Sequence, residues 1–318
     1  MRDIVVEVAS ITKRYGDFAA VRELSLAIPR GAVYGLLGPN GAGKTTTIRM
    51  MMSIIYPDEG KVTLFGSRGD GKDLSHRIGY LPEERGLYKK MKVIDLLIFL
   101  AEIKGVARAK ARAGATEWLE RLGLGDWALK KADDLSKGMQ QKVQFISTVL
   151  HEPELLVLDE PFSGLDPVNT QIMKDTVVDL SRKGTTILFS THIMEQAEKL
   201  CDSVCIIARG SKVVDGPLAE IKRQHGGSHL IVAAERSAAL DGVLSDTRMI
   251  SRADNYGHYA ELELAAGASA QQVLEALVRQ GVVVSRFEMA EPTLHKIFID
   301  LAGPQALPTS PDEEVARA

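Results

Sequence analysis

Apolar and polar residues alternate from Ile4 to Ile11 and again from Val21 to Ile28, the period of half-buried strands. Between them, Lys13-Arg14-Tyr15-Gly16-Asp17-Phe18 reads as a turn carrying two aromatics. Ala32-Val33-Tyr34-Gly35-Leu36-Leu37 does not alternate; it is apolar throughout, as a strand covered on both faces must be. Helical spacing follows over Thr45 to Met52. A turn at Tyr56-Pro57-Asp58-Glu59-Gly60 leads to short strands at Lys61 to Phe65 and Arg77 to Leu81. From Val93 to Lys104 and from Ala109 to Leu122 the period is helical, with Gly105 between. These belong to an all-helical insertion at about 92–150, whose last helix runs to Leu150 behind Ser136, a good capping residue.

The second half alternates strands with helices. Leu155-Leu156-Val157-Leu158 is wholly apolar and ends in Asp159-Glu160-Pro161, as if a central parallel strand delivered two acids at its carboxyl end. Ser163-Gly164-Leu165-Asp166-Pro167 is a turn before a helix to about Arg182. A strand at Thr185 to Ser190 runs through Thr191-His192 into a helix ending at Leu200. Val204 to Ala208 and Lys212 to Asp215 form a hairpin across Arg209-Gly210. The expected fold class is α/β, a doubly wound, largely parallel sheet with an antiparallel N-terminal β part and the helical insertion.

A helix from Pro217 to Gln224 leads to Gly226-Gly227, so a first domain is expected over 1–225. Beyond it come a strand at His229 to Ala233 and a hairpin either side of Asn255-Tyr256-Gly257. A helix from Ala270 to Arg279, a strand from Val282 to Glu288 and a helix from Pro292 to Leu301 complete a small α+β domain, 226–302. Residues 303–318, rich in Pro, Ala and acids, are expected to be a disordered tail.

Composition changes this picture little. The 318 residues are 45% hydrophobic and 25% charged, an ordinary globular balance for about two domains. A net charge of −3 argues against a dedicated nucleic-acid partner. Cys201 and Cys205 are expected to be buried thiols, because the second falls in an apolar strand. The start, Met1-Arg2-Asp3-Ile4, has no secretory signal pattern, and no apolar run reaches the ~18 residues of a membrane span. A cytoplasmic chain is the expectation.

One stretch carries explicit chemistry. Gly38-Pro39-Asn40-Gly41-Ala42-Gly43-Lys44-Thr45 fits G-x-x-x-x-G-K-[ST], and it lies between a buried strand and a helix, the context the motif requires. Glycines let successive backbone N–H groups close on phosphate oxygens, and the helix N-terminus adds partial positive charge. Lys44 is placed to reach β- and γ-phosphates, and the Thr45 hydroxyl to bind Mg²⁺, with Thr46 next in line. On physical grounds Asp159 would hold Mg²⁺ through water, and Glu160 would orient or deprotonate an attacking water.

This loop, Leu135-Ser136-Lys137-Gly138-Met139-Gln140, the Asp159-Glu160 strand, Ser163 to Pro167 and His192 stand in an order that resembles the ABC ATPases. These are the nucleotide-binding subunits of ATP-binding-cassette transporters, and the resemblance covers about 4–220. It implies a P-loop NTPase fold and an Mg-dependent ATPase. Tyr15 would stack on adenine, His192 would contact the γ-phosphate, and Asp166 would communicate across a dimer. Ser136 to Gln140 would be the family signature, normally Leu-Ser-Gly-Gly-Gln, from which Lys137 and Met139 depart while Ser136 and Gly138 remain. The signature would complete the ATP site of a second copy or a homologous subunit. Glu83 stands where the family usually places Gln, whose oxygen joins the Mg²⁺ shell.

Gly79 to Tyr88 and Glu291-Pro292-Thr293-Leu294-His295-Lys296-Ile297-Phe298-Ile299 resemble one subgroup, the ABC-2-type exporter subunits of sodium and drug efflux. The implied partner is a multi-span permease, which would hold the chain at the inner face of the membrane. Two other readings are a soluble ABC ATPase acting on ribosomes or nucleic acid, and an importer subunit with a regulatory C-terminal domain. Repair ATPases carry a long coiled coil and translation factors two cassettes in one chain, neither of which is legible here.

Overall fold

The computed structural model describes residues 3–66, 74–84, 86–225 and 229–303. The proposed boundary at Gly226-Gly227 and all but the first residue of the proposed tail lie outside the described residues. Two compact units are present, one running to Leu218 and resuming at Phe298, the other Ala219–Ile297.

In the first unit, β1 (Ile4–Tyr15) and β2 (Phe18–Pro29) are antiparallel and joined across only Gly16 and Asp17. The six-residue turn expected there is thus mostly strand. Register shifts between Val8 and Ile11 and again to Lys13 break the two-residue period, which hides the continuation. β3 (Val33–Leu37) is buried at every position and feeds the loop before α1 (Lys44–Met51). β4 (Glu59–Leu64) pairs antiparallel with β1, giving a three-stranded sheet in the order β2-β1-β4.

β5 (Ile78–Leu81) precedes the helical insertion, built of α2 (Val93–Ile103), α3 (Arg108–Arg121) and α4 (Lys137–Val149). α4 buries Val143, Phe145, Ile146 and Val149, and Trp118 of α3 meets Phe145 edge to face. The chain then returns through β6 (Leu155–Asp159), α5 (Pro167–Arg182), β7 (Thr186–Thr191) and α6 (Met194–Leu200). The hairpin of β8 (Ser203–Ala208) and β9 (Ser211–Pro217) closes the unit. Cys201 and Cys205 are buried and free.

These strands form a six-stranded sheet in the order β5-β6-β7-β3-β8-β9, parallel from β5 to β8. The register aligns the strand ends. Leu37 pairs with Thr191 and Asp159 with Ser190, so the carboxyl ends of β3, β6 and β7 come level at one edge.

The second unit takes α7 (Leu218–His225), β10 (His229–Ala234), α8 (Ala238–Leu244), β11 (Ile250–Asn255), β12 (Ala260–Leu264), α9 (Ala270–Arg279) and β13 (Val284–Met289). α10 (Leu294–Ala302) runs out of it. The sheet is antiparallel, in the order β11-β12-β10-β13, over a core that includes Leu230, Val232, Leu262, Val273 and Leu277. α8 is an addition to the elements expected. It is only seven residues long, and its one sequence signal is Ser237, whose hydroxyl accepts from the Leu240 amide at 3.2 Å.

Candidate nucleotide site

The loop between β3 and α1 is shaped by contact as much as by conformation. Gly38 has φ 151° and Gly43 φ 102°. A Cβ at Gly38 would lie 2.1 Å from the Ile207 carbonyl oxygen, and one at Gly43 2.5 Å from that of Ala20. Neither position admits a side chain. Gly210 donates its amide to the Ala42 carbonyl at 3.1 Å, which ties the loop to the β8–β9 turn. Lys44 is buried; its Nζ donates to the carbonyls of Gly38 at 2.9 Å and Pro39 at 3.2 Å, and stands 3.5 Å from Glu160 Oε1.

Asp159 ends β6 with 0% exposure. Ser190 Oγ donates to Asp159 Oδ1 at 2.5 Å and accepts the Glu160 amide at 3.0 Å. One hydroxyl on β7 therefore fixes both acids. Asp159 Oδ2 is buried and accepts no hydrogen bond among the described residues. Burial pushes the Asp159 carboxyl up, against the opposing effect of the Ser190 and Thr45 hydroxyls.

Glu160 does not continue β6, which ends at Asp159. It turns at φ 47°, the left-handed region, and stays buried. The turn brings Glu160 Oε1 within 3.0 Å of His192 Nδ1. Strain of this kind at a chemically armed residue is a mark of a functional site.

Glu83 follows β5 on the rim of the same cleft, a space of about 360 Å³ lined also by Asn40, Gly41, Gly43, Lys44, Thr45, Thr46 and Glu160. Glu83 is open to solvent, yet its carboxyl is pushed up, first by partial burial and then by Asp159 and Glu160. Three carboxylates thus share one field. Tyr15 and Phe18, 53% and 62% exposed, stand across the mouth. Phe18 is the site residue that the turn reading put beside Tyr15 without a role. Ser190 has no local sequence signal at all.

Ser136 caps α4 and accepts the Met139 amide at 3.3 Å, leaving Lys137, Gly138 and Met139 in the first turn. Gln140 Nε2 donates back to Leu135 at 3.1 Å and Ala132 at 3.4 Å. A Cβ at Gly138 would come 3.5 Å from Leu165 Cδ2, so the helix end meets the Ser163–Asp166 turn. None of residues 136–140 lines the cleft with Lys44. Asp166 caps α5, accepting from the Asn169 amide at 3.0 Å and from Asn169 Nδ2, bonds that hold its carboxyl below the usual range. Among the described residues no helix is long and apolar enough to cross a membrane.

Known proteins share both units of the chain. The ABC transporter family model matches residues 21–163, and the model for the C-terminal domain of DrrA1-3-like ATP-binding proteins matches residues 216–302. The chain is 44% identical over 299 residues to the uncharacterized ABC transporter ATP-binding protein YhaQ of Bacillus subtilis (strain 168), covering 92% of this chain and 97% of that one. It is 33% identical to the daunorubicin resistance ATP-binding protein DrrA3 of Streptomyces coeruleorubidus, covering 95% and 97%. A solved ATP-binding subunit of an ABC transporter superposes with a TM-score of 0.66 at 32% identity, over 70% of this chain and 93% of the other. The chain belongs to the ATP-binding proteins of ABC transporters, a family that binds and hydrolyses ATP in transport.

Proposed function

We propose that this chain is the Mg-dependent ATPase subunit of a separate membrane-spanning ABC exporter. The observation that carries the ATPase reading is Glu160, turned by a left-handed residue to meet His192 at 3.0 Å beside the buried Lys44. The P-loop amides and Lys44 bind the β- and γ-phosphates, and Tyr15, with Phe18, covers the base. Glu160 takes the proton of the attacking water, and His192 holds the Glu160 carboxylate while facing the γ-phosphate.

Thr45, Asp159 and Glu83 are hard oxygen donors, and the unshared buried Asp159 Oδ2 is an acceptor in want of a cation, so these residues fit magnesium. Bound there, held by Thr45, Asp159 and Glu83, the ion would supply positive charge to neutralise the phosphates during transfer. Ser136 to Gln140, outside the cleft of their own chain, serve the nucleotide of a second copy or a homologous subunit, and ATP is the glue between them. Asp166, beside that end of α4, belongs to the same interface.

The exporter reading rests on the C-terminal domain shared with drug-resistance subunits. Tyr88 and Phe99, edge to face at 6.0 Å and both exposed, stand next to Lys89 and Lys90 and suit a protein partner. Through that partner the chain sits on the inner face of the membrane. Purification of the tagged chain from solubilised membranes is expected to bring down a multi-span protein; recovery with ribosomes instead would overturn the reading.

Glu83 makes a second test. Its charge repels ATP as well as Asp159 and Glu160 unless magnesium is present. Glu83→Gln is expected to improve metal-free ATP binding by roughly three- to tenfold, the cost of one partly solvated charge, and to weaken the dependence on magnesium. Identical magnesium titrations of ATP binding in the two proteins would put Glu83 outside the metal site.

A further inference from the structure

Gln144 lies on α4, the helix that Ser136 caps, and is 6% exposed. Its Nε2 donates to the backbone carbonyl of Glu84 at 3.2 Å. Its Oε1 is equally buried and accepts no hydrogen bond among the described residues. From the other side, Arg49 of α1 reaches the Glu84 carboxylate at 3.3 Å. The residue before Glu84 is Glu83, on the rim of the nucleotide cleft.

A buried amide that makes one hydrogen bond and leaves its acceptor free is a net cost against an apolar side chain of equal size. One turn away on either side of it, Gln140, Gln141, Ser147 and Thr148 share its face of α4, and each gives its side-chain donor to a backbone carbonyl. Gln144 follows the same pattern, and its bond crosses to the segment that carries Glu83. What the amide does is hold one carbonyl, one residue beyond Glu83. Pro82 stands on the other side with its φ fixed by the ring, so few backbone rotations remain between the two anchors.

We propose that Gln144 is a positioning residue for Glu83: through this one hydrogen bond, α4 sets how far the Glu83 carboxylate reaches into the nucleotide site. The inference rests on reading Glu83 as a magnesium ligand. It gives α4 two working ends. Ser136 lies at its start and Gln144 about 12 Å along at 1.5 Å per residue, on one rigid rod. A displacement of the signature end by a second copy is therefore passed to the metal ligand.

Gln144→Met tests it, with Gln144→Leu as a second variant. In the protein without ligands, the melting temperature is expected to stay level or rise, since a buried acceptor with no partner among the described residues is gone. Backbone NMR order parameters at Glu83 and Glu84 are expected to fall. Half-saturating magnesium for ATP turnover is expected to rise about 10–100-fold, as for other residues that orient a ligand. In a Glu83→Ala background the same change is expected to add nothing to the magnesium requirement. A lowered melting temperature with an unchanged magnesium requirement would make Gln144 merely structural and overturn the inference, as would additive effects in the double variant. If Glu83→Ala alone leaves the magnesium requirement unmoved, the metal reading of Glu83 has failed, and unchanged order parameters at Glu83 and Glu84 then overturn the positioning role as well.

Discussion

Glu160→Gln should leave ATP bound and slow its hydrolysis by about 10²–10⁴-fold, the usual loss when a positioned base is removed. The amide keeps the shape of the side chain, so the left-handed turn at Glu160 and the contact with His192 at 3.0 Å have no steric reason to change. What goes is the group that can accept a proton. A second consequence comes from the charge. The carboxylate faces the same space as Glu83, and removing it lessens repulsion of the γ-phosphate. ATP should therefore bind as well or better, and a dimer held together by ATP should persist for want of turnover. Size-exclusion chromatography with and without Mg-ATP, alongside phosphate release, reads both halves. Turnover equal to that of the unaltered chain would take Glu160 out of the chemistry.

Ser190→Ala should be the most damaging conservative change near the site. One oxygen donates to the fully buried Asp159 and accepts the Glu160 amide. Without it, Asp159 Oδ1 loses its Ser190 donor while Oδ2 has no partner among the described residues, and the Glu160 amide loses its acceptor. Bonds to charged groups and stranded buried polar atoms cost about 2–4 kcal/mol together. That corresponds to a fall of roughly 3–6 °C in melting temperature for a chain of this size. Turnover should fall too, because the Glu160 turn is no longer pinned. Calorimetry on the ligand-free protein decides it. An unchanged melting temperature would mean that the two acids do not depend on this hydroxyl.

Lys44 and Ser190 differ in how a chain announces them. The P-loop, the Asp159-Glu160 pair and the Ser136 cap are local patterns, in which the residues that cooperate are near neighbours in sequence. Ser190 is thirty-one residues from Asp159 and acts because β6 and β7 pair in one register and no other. No pattern in Thr186 to Thr191 announces that. The left-handed turn at Glu160 is hidden for a different reason. A glycine would have advertised it, whereas glutamate advertises chemistry and leaves the backbone unspoken. The N-terminal strands read short because bulges interrupt their period, and α8 shows no period because seven residues hold too few turns.

The contacts around Gly38 and Gly43 bear on how the protein comes to be made. The loop takes its form against the Ala20 carbonyl on one side and Ile207 and Gly210 on the other, segments drawn from far apart along the chain. Closing such separated segments is slow, and it comes after the assembly of locally paired structure. During synthesis the glycines leave the ribosome well before Ile207 exists to press on them. A nascent chain arrested short of the β8–β9 hairpin has the complete motif and its Ala20 wall, but not the Ile207 and Gly210 wall that completes the mould. Nucleotide affinity is consequently expected to be gained late, near the moment the central sheet is complete, and ATP binding by chains ending before and after the β8–β9 hairpin would read it.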